Sequence, residues 1–98
     1  MLVRFYVGLG NRTCGGYIDA AIAVGDARAI ELFGGFTRFN GTDGWLDKGE
    51  IYHEESLVYE VATKESLDIA DFASYLKGIF DQQSILVIRI PCETEFVT

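Results

Sequence analysis

The chain has 98 residues, 49% of them hydrophobic, and a formal net charge of −7 at pH 7. This length fits one domain, residues 1–98, with enough apolar material for a core without disulfide or metal staples. The acidic balance argues against nucleic-acid binding, which depends on Lys and Arg contacts to phosphate. No apolar run reaches the roughly 18 residues that a membrane span requires.

The N-terminal residues and the cysteines favour a cytoplasmic protein with no bound metal. The first residues lack the basic, apolar and small-residue segments of a signal peptide, so a cytoplasmic location is expected. Cys14 and Cys92 lie far apart and share no ligand spacing with His53, the only histidine. Zinc would need about four suitably spaced ligands. The sequence therefore predicts no metal, no cofactor and free thiols, with a disulfide between the two cysteines as the alternative interpretation.

The first strand is predicted over residues 3–9, where apolar and polar side chains alternate. The face that it buries carries four apolar residues: Val3, Phe5, Val7 and Leu9. A turn is predicted at residues 8–11, and a polar, glycine-bearing loop follows it.

A helix is predicted over residues 17–33, which are rich in alanine and other apolar residues. Gly25 interrupts this stretch, so the helix is either kinked there or begins only after it, with Asp26 as a plausible N-cap. Gly34-Gly35 predicts its C-terminal stop through a left-handed conformation.

The middle of the chain predicts a long hairpin. An irregular second strand covers residues 36–46, with a bulge or bend at Gly41. A turn at residues 47–49 leads into a third strand over residues 51–62. The alternation of that strand places three side chains on one face, Leu57, Tyr59 and Val61, and two on the other, Val58 and Glu60.

The second helix is the clearest predicted element, because apolar residues recur at three- and four-residue spacings along one stripe. The stripe contains Ile69, Phe72, Ala73, Leu76, Ile79 and Phe80. Ser66 or Asp68 can cap its start. The last strand, residues 84–90, is apolar on both faces and predicts a central strand that is covered on each side.

The order strand, helix, two strands, helix, strand predicts an α+β, ferredoxin-like β-α-β-β-α-β fold, with a four-stranded antiparallel sheet and two helices on one face. We expect the first and last strands side by side at the centre of the sheet. The second and third strands are expected to form a longer, more polar hairpin that reaches the sheet edges.

Short segments resemble a family of small bacterial and phage proteins for which no activity is assigned. The family pattern is roughly G-(F/L)-T, G-x-W, E-x-S-x-V and a late F-x-Q-x-S. The matching segments here are Gly35-Phe36-Thr37, Glu54-Glu55-Ser56-Leu57-Val58 and Phe80-Asp81-Gln82-Gln83-Ser84, while the second element reads Gly44-Trp45, without the intervening residue. The resemblance covers most of the chain apart from residues 11–30, and it implies a fold rather than an activity.

A looser resemblance is to CutA and the PII-like signalling proteins, which are ferredoxin-like trimers. Trp45, with Lys48-Gly49-Glu50 and Glu54-Glu55, is similar to the W-x-G-K-x-E-E stretch of CutA. The chain lacks the histidine-proline-tyrosine segment of CutA and the basic nucleotide-binding loop of PII proteins. The resemblance therefore implies a homo-oligomer, and it implies no metal or nucleotide function.

Residues 8–16 are the segment of the sequence that most resembles a phosphate-binding loop. Glycines let backbone N–H groups approach an anion, and Arg12 could pair with it. The segment has neither the P-loop nor the Rossmann spacing, and a flexible turn is the alternative interpretation. The predicted ligand-binding residues are Gly10, Asn11, Arg12, Arg38, Trp45, Gln82 and Gln83.

The hairpin also predicts a partner-binding site, because aromatic side chains often anchor interfaces. Its predicted residues are Trp45, Tyr52, His53, Glu54 and Glu55. A solvated hairpin end is the alternative interpretation. Since Glu54 and Glu55 point to opposite sides of a strand, they do not form a paired-carboxylate catalytic site. No catalytic residue is predicted.

Three functional hypotheses follow. The first is a non-enzymatic homo-oligomer that holds a small anionic or nucleotide-like ligand in clefts between protomers; if phage-encoded, it would sequester a host defence signal. The second is an acidic inhibitor that blocks a host enzyme through its hairpin or negative face. The third is a small enzyme, placed last because no acid–base–nucleophile set is visible.

Overall fold

The computed structural model describes residues 1–10, 16–64 and 66–98. Within these residues six elements follow in the predicted order: β1 (Leu2–Gly10), α1 (Gly16–Phe33), β2 (Thr37–Asp47), β3 (Glu50–Ala62), α2 (Ser66–Ile79) and β4 (Leu86–Ile90). The strands form an antiparallel sheet in the order β2-β3-β1-β4, with the helices packed on one face. The predicted ferredoxin-like α+β fold is confirmed.

The core lies between the helices and the side of the sheet that they cover. Phe72 of α2 is at its centre and makes T-shaped contacts with Phe5, Phe33 and Tyr59, at ring-centroid distances of 4.9, 5.5 and 5.2 Å. Edge-to-face packing is a favourable arrangement for aromatic rings. The predicted buried face of β1 and the predicted stripe of α2 both supply this core. No helix of the described residues has both the length and the apolar character to cross a bilayer.

Helix α1 runs without interruption from Gly16 to Phe33, so the predicted start after Gly25 is wrong. Gly25 instead lets helix α1 lie close to the Tyr59 side chain of β3, since a β-carbon at Gly25 would lie 2.7 Å from the hydroxyl of Tyr59. Asp26 is not an N-cap. Its carboxylate accepts hydrogen bonds from Tyr59 Oη at 2.8 Å and Arg38 Nε at 3.0 Å. The predicted stop at Gly34 is confirmed by its left-handed φ of 79°.

Strands β2 and β3 pair in continuous register from Thr37↔Glu60 to Asp47↔Glu50, so the predicted bulge at Gly41 is wrong. Gly41 makes room for a neighbour across the strand: a β-carbon there would lie 3.0 Å from the hydroxyl of Ser56. The predicted turn at residues 47–49 is confirmed. Lys48 and Gly49 both have positive φ, 50° and 81°, as a two-residue type I′ hairpin turn requires.

Strand β1 continues through Gly10, so residues 8–10 of the predicted turn belong to the strand; Asn11 lies outside the described residues. The register shift in this sheet falls here, between Gly8 and Gly10. The bulge therefore lies in β1, at the end of the sheet where the hairpin begins to extend beyond it.

Strand β4 is an edge strand, and the prediction of a central last strand covered on both faces is wrong. Among the described strands it pairs with β1, while β1 and β3 occupy the centre. The hairpin reaches one edge of the sheet through β2 alone. Two apolar side chains of β4 are open to solvent, Leu86 at 59% and Ile88 at 38%. An apolar pattern shows that both faces suit burial, but it does not show whether the same chain covers them.

Candidate functional site

The side of the sheet away from the helices is called the open face here. Side chains directly opposite one another on paired strands share a face. The register therefore places a row of small and polar residues on the open face where β1, β3 and β2 lie side by side. In order across the strands, this row consists of Gly8, Ser56 and Gly41, with Glu54 and Asp43 next along the hairpin.

The carboxylate of Glu54 lies against the backbone of β1. Its Oε1 accepts a hydrogen bond from the N–H of Gly10 at 2.8 Å. A β-carbon on Gly8 would lie 2.5 Å from the same oxygen, so the carboxylate occupies space that only a glycine leaves free. The glycine segment and the hairpin carboxylate, predicted as parts of two separate sites, thus meet in one place.

Ser56 is the polar side chain buried beside this carboxylate. It is 1% exposed, and its Oγ has no hydrogen-bond partner among the described residues. A buried hydroxyl without a partner costs about 1–3 kcal/mol, so a water or ligand group that bonded to Ser56 Oγ would be stabilising there. Ser56 is not among the site residues that the sequence predicts. The two-residue alternation of β3 could have found it, because that alternation places Ser56 on the same face as Glu54.

Glu54 and Asp43 are direct cross-strand neighbours on the open face. Like charges directly opposite each other on paired strands are destabilising. Neither carboxylate forms an ion pair with a side chain in the described part of the chain. This pair of carboxylates therefore favours a ligand that donates hydrogen bonds or carries positive charge.

An aromatic platform adjoins the carboxylates toward the hairpin tip. The rings of Trp45 and Tyr52 are stacked, with centroids 5.9 Å apart and an interplanar angle of 18°. Both remain substantially exposed, at 47% and 41%. The Tyr52 hydroxyl donates a hydrogen bond to Glu50 Oε2 at 3.0 Å, which fixes the ring edge. Paired aromatic faces of this kind can stack on a planar ligand.

The remaining predicted partner-binding residues lie on the other face of the hairpin. The β2–β3 register places His53 and Glu55 on the helix side of the sheet, opposite in direction to Glu54. This agrees with the expectation that Glu54 and Glu55 do not act as a pair. Within the described residues, no group of three or more His, Cys, Asp or Glu side chains could hold a metal ion.

The predicted ligand-binding residues are only partly brought together. Arg38 lies on the helix side and pairs with Asp26, and this hydrogen bond raises the pKa of Arg38. Gln82 turns back on its own helix end, donating to the carbonyl of Phe80 at 3.3 Å, and Gln83 is exposed. Asn11 and Arg12 lie outside the described residues.

Two described arginines on or beside the sheet, Arg4 and Arg38, are already paired with carboxylates. Arg4, on the open face, bonds to Glu60 at 2.7 Å, and this hydrogen bond raises the pKa of Arg4. A cavity of about 570 Å³ lies at the far end of the sheet around Phe33, Phe36 and Phe96, and it contains none of the predicted site residues. The open-face carboxylates with Ser56 therefore form the better candidate site.

No protein-family model and no curated protein sequence matches the chain. Several solved structures, however, are similar to this one. The CutA protein of Archaeoglobus fulgidus, described as a periplasmic divalent cation tolerance protein, superposes with a TM-score of 0.62 at 14% identity, over 98% of this chain and 88% of that one. The Cut A1 protein of Thermus thermophilus gives a TM-score of 0.60 at 12% identity, over 96% and 88%.

A phage SAM lyase in complex with S-methyl-5′-thioadenosine also has a similar structure. Its TM-score is 0.60 at 15% identity, over 88% of this chain and 76% of that one. At such identities the similarity establishes the fold alone. The CutA resemblance is thus supported at the level of fold, and the resemblance to the small bacterial and phage family stays a prediction. The chain has the ferredoxin-like fold that CutA proteins and this phage lyase share.

Proposed function

We propose that the chain forms a homo-oligomer that binds a nucleoside-bearing small molecule on the open face, in a cleft between protomers. The single observation that carries this proposal is the buried, unpartnered hydroxyl of Ser56 beside the carboxylate of Glu54. These groups have hydrogen-bonding capacity that the described chain leaves unused. A ligand with hydroxyl and amino groups would use it.

The layout of the site supports a nucleoside in particular. Carboxylate oxygens accept hydrogen bonds from ribose hydroxyls, and the Trp45–Tyr52 platform offers a face to a base. The structural similarity to a phage lyase that holds S-methyl-5′-thioadenosine supports the same ligand class. Of the two predicted classes, anionic and nucleotide-like, the charges favour a ligand that is neutral or positive where it meets Glu54 and Asp43.

The apolar character of β4 supports the oligomer. An edge strand with exposed apolar side chains and unpaired backbone groups is a site for association, and soluble proteins normally cover or charge such edges. Leu86 and Ile88 are exposed on the open face of β4. A second protomer lying over this face would cover them. It would also convert the shallow open-face site into a cleft with two walls.

The biological role that we propose is sequestration of a nucleoside signal, with the protein encoded by a phage and the signal belonging to host defence. The similarity of several short segments to small bacterial and phage proteins supports this context. The rival role, an acidic inhibitor of a host enzyme, is less favoured because four of the described acidic residues are engaged in ion pairs: Asp26, Glu31, Glu60 and Asp71.

The test is calorimetric titration of the purified protein with adenosine, S-methyl-5′-thioadenosine, S-adenosylmethionine and a cyclic nucleotide. We expect one of them to bind, and Glu54→Gln to weaken its binding at least about tenfold, since a hydrogen bond to a charged group contributes about 1.5–3 kcal/mol. Glu55→Gln is the matched control, because it makes the same change on the other face. Absence of binding, or equal loss in both variants, would contradict the proposal.

A second candidate function, a lyase acting on S-adenosylmethionine, is favoured by one observation. A phage protein with that activity has a similar structure, and the second carboxylate oxygen of Glu54 accepts no hydrogen bond from a described residue. Incubation with S-adenosylmethionine, followed by mass spectrometry, separates the two functions. Consumption that Glu54→Gln abolishes indicates an enzyme, whereas binding without consumption indicates a sequestering protein.

A further inference from the structure

The cavity of about 570 Å³ lies at the end of the sheet opposite the hairpin turn, where β1 begins and β3 ends. Leu2 and Ala62 form part of its wall, together with residues 34–36, which link α1 to β2. Glu54 and Ala62 are roughly 26 Å apart along an extended strand, so this cavity is separate from the open-face site. Its volume lies within the range of small-molecule binding sites.

Three phenylalanines line this cavity: Phe33, Phe36 and Phe96. Ring contacts with the core hold the first two in place. Phe33 lies 5.5 Å from Phe72, and Phe36 lies 5.6 Å from Tyr59, measured between ring centroids. Aromatic rings contact apolar groups well, and their faces also attract cations electrostatically. The lining therefore suits a group that is both apolar and positively charged.

The third ring, Phe96, belongs to the C-terminal segment, residues 91–98, which contains no helix or strand. Strand β4 ends at Ile90, which pairs with Leu2 of the cavity wall, so this segment leaves the sheet beside the cavity. Phe96 is 96% exposed although it lines the cavity. Its ring is thus not packed into the core, and it can close over a bound molecule without disturbing the fold.

The electrostatics of the cavity favour a cation. Among its described lining residues Glu60 is the only charged one, and none is basic. Oε2 of Glu60 accepts a hydrogen bond from Arg4 at 2.7 Å, whereas Oε1 accepts none from a described residue. Helix α1 ends at the cavity, and no basic side chain in its last turn compensates the negative end of its dipole. The C-terminal segment adds two more carboxylates, Glu93 and Glu95.

We infer that this cavity binds a small organic cation, an amine whose charged nitrogen carries apolar substituents. The nitrogen lies among the three rings and beside Glu60, and Phe96 closes over it. A quaternary ammonium group suits such a site, since it needs no hydrogen-bond acceptors and is recognised by aromatic faces. Ca²⁺ or Mg²⁺ does not, because each requires about six oxygen ligands. The inference does not depend on the nucleoside proposed above.

The first experiment is a titration with choline followed by ¹H–¹⁵N NMR at constant ionic strength. The amide signals of Gly34 and Gly35 report on the cavity, and those of Gly8 and Gly10 report on the open face. The matched control ligand is 3,3-dimethylbutan-1-ol, which has the shape of choline without its charge. We expect choline to shift the cavity signals with a millimolar Kd, and the alcohol to bind at least about fivefold more weakly.

The second experiment replaces a ring by an aliphatic side chain of similar size. Phe96→Leu keeps an apolar group at the cavity but removes the aromatic face. We expect it to weaken choline binding about two- to fivefold and to leave the binding of the alcohol unchanged. Phe39→Leu is the matched control, because Phe39 is 41% exposed on β2 and does not line the cavity. The NMR spectrum of each variant also establishes that it is folded.

Each alternative outcome overturns the inference in a recognisable way. Equal affinity for choline and the alcohol indicates an apolar cavity without selectivity for charge. Choline shifts confined to Gly8 and Gly10 indicate that the cation binds the open face instead, and no shift at any of these glycines indicates no site. Equal effects of Phe96→Leu and Phe39→Leu exclude a role for the C-terminal ring. Glu54-dependent nucleoside binding is measured separately and can stand or fail in every case.

Discussion

The carboxylate of Glu54 occupies the space where a β-carbon of Gly8 would be, 2.5 Å from its Oε1, and the same oxygen accepts the N–H of Gly10 at 2.8 Å. One glycine therefore provides space and the other provides a donor. The register shift of β1 falls between them, and it aims the Gly10 N–H at the carboxylate. This arrangement orients Glu54 before any ligand arrives.

Gly8→Ala is expected to displace Glu54, because the flexible end of that side chain can swing away from a new methyl group. The hydrogen bond to Gly10 is then lost, and the free energy of unfolding should fall by about 1 kcal/mol. Nucleoside affinity should fall as it does in Glu54→Gln. Gly35→Ala is the control, since a β-carbon there meets nothing within 4 Å. If calorimetry finds wild-type affinity in Gly8→Ala, nucleoside binding does not depend on the position of the Glu54 carboxylate.

Gly25→Ala should destabilise the protein even though alanine is the better helix former by about 1 kcal/mol. The added β-carbon would lie 2.7 Å from Tyr59 Oη and force that buried ring or α1 to move. We expect a net loss of about 1–2 kcal/mol in urea unfolding. The control is Gly78→Ala in α2, where nothing lies within 4 Å, and it should stabilise by roughly 0.5–1 kcal/mol. Equal effects in the two helices would contradict this account of Gly25.

Tyr59 should make stability depend on alkaline pH. Burial, followed by the hydrogen bond to Asp26, raises the pKa of Tyr59 well above its ordinary value of about 10. Above about pH 10 the unfolded chain loses this proton while the folded chain keeps it. The unfolded state then binds fewer protons, so the unfolding free energy falls by up to about 1.4 kcal/mol per pH unit.

Tyr59→Phe is the variant that isolates this effect. It loses the hydrogen bond to Asp26 and should be about 1 kcal/mol less stable at pH 7. It also lacks the phenol that titrates, so the stability gap between the two proteins should narrow as pH rises beyond 10. Urea unfolding at several pH values between 9 and 11 measures the gap. Parallel curves would indicate that Tyr59 ionises equally easily in both states.

Phe72→Ala should be among the most damaging single changes, because three aromatic rings lose their common neighbour. Replacing a buried phenylalanine by alanine costs about 3–5 kcal/mol, through lost burial and the cavity left behind. Phe96→Ala makes the same change at a side chain that is 96% exposed, and it should alter the stability of the protomer little. Thermal unfolding of the two variants compares them directly.

The elements that the sequence predicts well are those with a local periodicity. The alternation of β1 and β3 and the stripe of α2 each follow from the faces that one element buries, and the structure confirms them. The role of a glycine does not follow from local periodicity. Gly25 and Gly41 suggest interruptions when read alone, whereas each makes room for a side chain distant in sequence, Tyr59 and Ser56 respectively.

The sequence predicts the candidate site only in separate parts. It indicates Gly10 and Glu54 individually, but their contact joins residues 44 positions apart and requires the sheet register to be known. It does not indicate Ser56, because a serine in a strand has no distinguishing pattern of its own. The position of β4 could not be predicted because its apolar faces match burial by a second protomer as well as burial within one chain.

The central strand β1 imposes an order on how the chain acquires its structure. Its partners are residues 55–62 of β3 and residues 86–90 of β4, all in the second half of the chain. While a ribosome is still synthesising that half, Val3, Phe5 and Val7 have no sheet to join. Pairings so distant in sequence form slowly, since a long loop must close first. Folding of this protein is thus expected to wait for nearly the whole chain, with chaperones protecting its first strand meanwhile.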